Sequence, residues 1–87
     1  MIDPPKVIGK RLKSLRLALG YKTQVAFAAS LGIEKNTYNP WEKGSRQLTF
    51  EGALLIRQIH KVPLDYLFFG ASDGLSVGIS RKILEAA

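Results

Sequence analysis

Between Thr23 and Glu42 the chain has room for little except two short helices joined by a tight turn. Thr23 offers a hydroxyl to the free N–H groups of a first helix, Phe27, Ala28 and Leu31 fall on one face of it, and Gly32 supplies the left-handed residue that ends it. A second helix then begins near Glu34. Ile33, Tyr38 and Trp41 close onto the first helix, which leaves Lys35, Asn36 and Asn39 on the outer side. Aromatic residues at helical spacing fill the interior of a small domain, so Phe27, Leu31, Tyr38 and Trp41 are assigned to the core.

The flanking sequence supplies three more helices. Asp3 ahead of Pro4 and Pro5 is a start signal, with the aspartate as the cap, for a helix over 5–19 whose buried face is Ile8, Leu12, Leu15 and Leu19. Lys6, Lys10, Arg11 and Lys13 cover the remainder of that helix as a solvated basic surface, and Gly20 ends it. Gly44 closes the outer helix of the central pair, and Ser45, Arg46 and Gln47 form an exit loop. Thr49 and Glu51 open a fourth helix running to His60 on Phe50, Ala53, Leu54, Ile56 and Ile59, weakened slightly by Gly52. Pro63 to Phe69 make a short fifth helix ended by Gly70. The fold class is all-α, with the domain over residues 1–70. Residues 71–87 read as a linker and a short C-terminal helix or tail, with Ile79, Ile83 and Leu84 on one or two turns, Ser80 as a possible cap, and docking or fraying as the two outcomes.

With 87 residues the core is small, and a homodimer is the natural way to extend it. The net charge of +6 is concentrated: six basic residues against Asp3 alone leave residues 1–24 with +5, a field that favours a polyanionic partner. The absence of cysteine excludes disulfides and thiolate metal sites, and no apolar run reaches membrane-spanning length. No secretory signal opens the chain, so a soluble, cytoplasmic protein is expected. His60 is the single histidine and has no catalytic partner or phosphate loop beside it, so a surface or half-buried residue is expected there, and no enzyme, cofactor, metal or small-molecule ligand is expected. Tyr66, Phe68, Phe69 and Leu17 exceed what a monomer conveniently covers, and part of this set suits a dimer seam.

The ordered series Arg11-Leu-Lys-Ser-Leu-Arg16, Gly20, Thr23-Gln24, Ala28, Leu31-Gly32-Ile33, Thr37, Trp41-Glu42-Lys-Gly44 and Pro63-Leu-Asp-Tyr-Leu67 resembles the Cro/C1-type (XRE) helix-turn-helix family of bacterial and phage repressors, over roughly residues 6–70. The resemblance implies a five-helix, lambda-repressor-like domain that places its third helix in the major groove of double-stranded DNA, usually as a two-fold dimer. On matching positions, Gln24 corresponds to a phosphate anchor and Lys35 and Asn36 to residues that reach base edges, with Asn39 one turn further on. Lys22, Lys43, Ser45 and Arg46 suit phosphates, and Arg16 with Glu42 corresponds to a structural ion pair between helices 1 and 3.

This chain departs from the family pattern at three places. The turn Gly20-Tyr21-Lys22-Thr23 is one residue longer than the common form, and Lys61 stands where the family has glycine after helix 4, so a left-handed turn there carries strain. Pro40 falls inside the third helix, where proline costs about 3 kcal/mol, and it is expected to kink that helix or split it into a turn over 34–38 and a short helix from 40. The functional expectation is a sequence-specific DNA-binding regulator acting as a homodimeric repressor, associated with the nucleoid. The alternative that Pro40 favours is a helix-turn-helix fold used for protein contact, as an antitoxin or adaptor.

Overall fold

Helices account for all the regular structure of residues 1–86, which the computed structural model describes: α1 Pro5–Ala18, α2 Gln24–Ser30, α3 Lys35–Lys43, α4 Phe50–His60, α5 Leu64–Phe69 and α6 Val77–Ala86. Ala87, the last residue of the expected tail, lies outside the described residues. Ile8, Leu12 and Leu15 recur along one face of α1 and are buried together with Phe27, Ala28 and Leu31 of the α2 region, Tyr38 and Trp41 of α3, and Ala53, Ile56, Val62 and Leu67 beyond them. Five aromatic rings, those of Tyr21, Phe27, Tyr38, Trp41 and His60, interlock from the centre outward. Phe27 meets Tyr38 edge-on at a centroid separation of 5.2 Å and stacks on His60 at 5.1 Å, and Tyr38 meets Trp41 at 6.0 Å.

Local signals explain the helix boundaries. The Thr23 hydroxyl accepts from Ala26 N–H at 3.1 Å, and that of Thr49 from Gly52 N–H at 3.0 Å. Asp3 does not cap α1. The cap position falls to Pro4, and the Asp3 carboxylate instead takes Arg11 Nη2 at 2.6 Å. Arg11 is therefore not part of a freely solvated surface: its other terminal nitrogen donates to the Leu67 carbonyl at 3.0 Å, and the guanidinium lies 5.8 Å from the centre of the Tyr66 ring. The reason is tertiary, since Asp3 N–H donates to the Phe68 carbonyl and brings the amino-terminal segment alongside α5.

Of the two outcomes expected for the tail, docking is the one observed, in a longer helix with a different cap. A ten-residue α6 begins at Val77 and packs on α1 through Ile79 and Ile83. Its opening N–H at Ile79 is taken by the Ser76 hydroxyl at 3.2 Å, while Ser80 lies inside the helix. Gly52 also has a role that its low helix propensity hides, because a side chain there would run into the indole of Trp41. Lys61 adopts φ 60° and ψ 35° as it closes α4, the left-handed geometry that its family position demands.

Candidate nucleic-acid interface

The helix carrying the candidate base-reading residues is held from behind by α1. Gly9 lies where α1 crosses α3, and a β-carbon there would collide with the carbonyls of Trp41 and Glu42, so only glycine permits this approach. Beside it Arg16 forks onto Glu42, with Nε to Oε2 at 3.1 Å and Nη2 to Oε1 at 3.0 Å, and sends Nη1 to the Tyr21 carbonyl at 2.9 Å. Both side chains of the pair are less than a tenth exposed. Burial pushes the Glu42 carboxyl upward, but the Arg16 guanidinium, with smaller contributions from Tyr38 and Gln24, outweighs it and holds the group below the usual carboxylate range. The Tyr38 hydroxyl is enclosed next to this pair without a hydrogen-bond partner among the described residues, and burial raises its pKa.

Pro40 does not split α3. The helix is undivided from Lys35 to Lys43. Its first turn is secured by the Glu34 carbonyl, which accepts from Thr37 N–H at 3.0 Å and Tyr38 N–H at 3.2 Å. The donor missing at Pro40 orphans the carbonyl of Asn36, an exposed residue, where water can replace it. At the other end Gly44, at φ 78°, lets the chain turn so that Ser45 and Arg46 N–H both reach the Pro40 carbonyl, at 3.1 and 3.2 Å.

On the outer face Lys35, Asn36, Thr37 and Lys43 are exposed, opposite buried Tyr38 and Trp41. Asn39 is more committed than the sequence suggested. It is half-buried and donates its amide to Gln24 Oε1 at 2.7 Å, which ties the start of α2 to the middle of α3. Lys22 and Arg46 are exposed on the turns flanking this surface. Ser45 is exposed as well, but its N–H and its hydroxyl are both directed at the Pro40 carbonyl, the latter at 3.4 Å, so its donors close the loop before they face solvent.

Thr37 belongs to the family series and Lys6 to the basic face of α1, but neither carries a contact role in the sequence reading. Thr37 is exposed and, with Asn36, Pro40, Arg46, Gln47 and Thr49, lines an open cleft of about 410 Å³ alongside α3. Lys6 runs against Gly44, which brings part of the amino-terminal charge to the exit of α3. Only the general basicity of α1 hinted at this, because the contact depends on how α1 crosses α3. Away from this surface Tyr66 is buried, Phe68 is half-buried, and Phe69, Leu17, Phe50 and Ile2 remain exposed. His60 is half-buried, and its Nε2 lies 2.9 Å from the Ser30 hydroxyl, which itself donates to the Phe27 carbonyl. Among the described residues no metal-binding cluster of His, Cys, Asp or Glu is present, and no helix is long and apolar enough to cross a membrane.

An all-helical core presenting one exposed helix that bears amides and cations, braced by a shorter helix across a glycine turn, defines a helix-turn-helix DNA-binding domain. A helix-turn-helix family model of the Cro/C1 (XRE) type matches residues 12–67, and the chain belongs to that family. It is a DNA-binding regulator of the XRE type, in a family of DNA-binding rather than enzymatic domains. No curated protein and no solved structure matches the chain.

Proposed function

We propose that this protein is a sequence-specific repressor that occupies a two-part operator as a homodimer and excludes competing proteins from it, within the cytoplasm and on the nucleoid. The observation that carries the proposal is the outer face of α3, where Lys35 and Asn36 project from a helix clamped behind by Gly9 and the Arg16–Glu42 pair. Lysine donates to guanine O6 or N7, and an asparagine amide pairs with adenine N6 and N7. Lys22, Lys43, Arg46 and Lys6 act on phosphates, with Gln24 orienting Asn39 as well as anchoring the backbone. Their contacts supply most of the affinity and make it fall steeply with salt.

Dimerisation is supported by the apolar surface on which Ile2, Phe50, Leu64, Phe68 and Phe69 meet around a shallow depression. The same surface is what an adaptor or antitoxin would use for another protein, so it also supports a protein-binding role without DNA. Titrating mixed duplex at two salt concentrations separates the two: binding with a retained salt slope supports the DNA role, and no binding at low salt supports the other. Selection from random duplex then tests specificity and symmetry together, because a dimer on a two-part operator returns a palindrome. Lys35→Ala and Asn36→Ala each relax preference at particular base pairs by about 1–3 kcal/mol, whereas Arg46→Ala weakens binding to every sequence and lowers the salt slope by about one. Equal losses on specific and random duplex for all three would defeat the assignment.

A further inference from the structure

Pro40 makes neither a hydrogen bond nor an ion pair through its side chain on the outer face of α3. It follows Asn36 by four residues and precedes Lys43 by three, so helical geometry sets it between them on the outer face, away from buried Tyr38 and Trp41. The fold has no evident need of a proline there, since the loop hydrogen bonds to its carbonyl would form equally with any other residue. Its half-buried ring forms part of the cleft that also includes Asn36 and Thr37. The second turn of this face is poorer in free side-chain donors: the Pro40 ring carries none, and one N–H of the Asn39 amide is given to Gln24 at 2.7 Å. Apolar ring carbon therefore stands where the first turn offers hydrogen-bonding groups. The major-groove edges of the base pairs carry one apolar feature, the C5-methyl of thymine.

We infer that Pro40 is a specificity-determining residue that packs against the C5-methyl of a thymine. In this arrangement α3 selects bases by hydrogen bonds in its first turn and by apolar contact in its second. The inference rests on the DNA-binding role proposed above. One helical turn advances about 5.4 Å and one base pair about 3.4 Å, so the thymine falls one or two base pairs from the base read by Asn36.

The test begins with the full chain and a binding site selected from random duplex. Each thymine of the half-site is replaced in turn by deoxyuridine, which lacks only the methyl group, and binding of the wild type and of Pro40→Ser is measured by fluorescence anisotropy. Pro40→Ser restores the helical N–H and relieves the crowding of the Asn36 carbonyl, so this variant is not expected to lose its fold, and circular dichroism checks that it has not. The expected result is one thymine per half-site, near the position where Asn36→Ala relaxes preference, at which loss of the methyl weakens the wild type about fourfold. Pro40→Ser is expected to bind the thymine and uracil duplexes equally at that position. Methyl dependence at no thymine, or the same methyl dependence in Pro40→Ser, overturns the inference while specific DNA binding stands. Failure to select any sequence overturns it together with the DNA-binding role.

Discussion

Replacing Arg16 by alanine is expected to remove a large part of the stability of this domain. The side chain makes three hydrogen bonds of 2.9–3.1 Å, two to Glu42 and one to the Tyr21 carbonyl, and so joins α1, the turn before α2, and α3. Its side-chain exposure is 7% and that of Glu42 is 6%, so water screens the pair little. Alanine leaves a buried carboxylate without its cation, an unpaired carbonyl and a void. Breaking a buried pair from one side costs about 3–5 kcal/mol, against a total of roughly 4–13 kcal/mol for a chain of this length. At about 4–8 °C per kcal/mol, the melting temperature falls by roughly 12 °C or more. Thermal and urea unfolding followed by far-UV circular dichroism measures the loss. The double variant Arg16→Met/Glu42→Leu is expected to be more stable than Arg16→Ala alone, because apolar replacement removes the stranded charge. Acid provides a second signature. Since the Glu42 carboxyl is held below its unfolded value of about 4.3, the pair's contribution is present above that pH and is lost as pH falls through the folded value. Arg16→Ala should flatten that part of the acid profile. A cost under about 1 kcal/mol, typical of surface pairs, would refute the reasoning, as would a double variant whose loss equals the sum of its parts.

Gly9→Ala is expected to destabilise by at least about 1–3 kcal/mol, by driving α1 off the Trp41 and Glu42 carbonyls, whereas Gly78→Ala, in open space on α6, gains about 0.5–1 kcal/mol in urea denaturation. Burial lowers the His60 pKa, so the folded domain disfavours the imidazolium: stability is full above about pH 6.5 and declines as pH falls from there towards the folded value. His60→Phe, which keeps a ring against Phe27, should remove that slope in melting temperature against pH. Lys61→Gly relieves the left-handed backbone at φ 60° and should stabilise by up to about 1 kcal/mol, read as a shift in urea midpoint at unchanged slope.

Features encoded within one or two turns are legible in the sequence itself. The hydroxyls of Thr23 and Thr49, the left-handed Gly44, and the spacing of Ile8, Leu12 and Leu15 depend on neighbours a few residues away, and the sequence places those neighbours directly. What could not be read depends on distant chain. Arg11 looks like a surface cation until the segment from Asp3 is seen lying along α5, and Gly9 looks like a weak helix residue until α3 is laid across it. Asn39 is similar: its spacing puts it on the outer face, while its bond to Gln24 is set by the approach of α2 to α3. The intrinsic penalty of Pro40 applies to a fully bonded helix interior, whereas here the orphaned carbonyl belongs to an exposed residue.

The bond from Asn39 to Gln24 also bears on how such a domain could be retargeted to a new site. Exchanging residues 35 to 37 alters side chains that have no hydrogen-bond partners within the described residues, so each can be varied on its own. Exchanging residue 39 takes the Asn39 partner from Gln24 at the same moment, and a new preference gained there comes with a looser hold at the neighbouring helix unless position 24 changes with it.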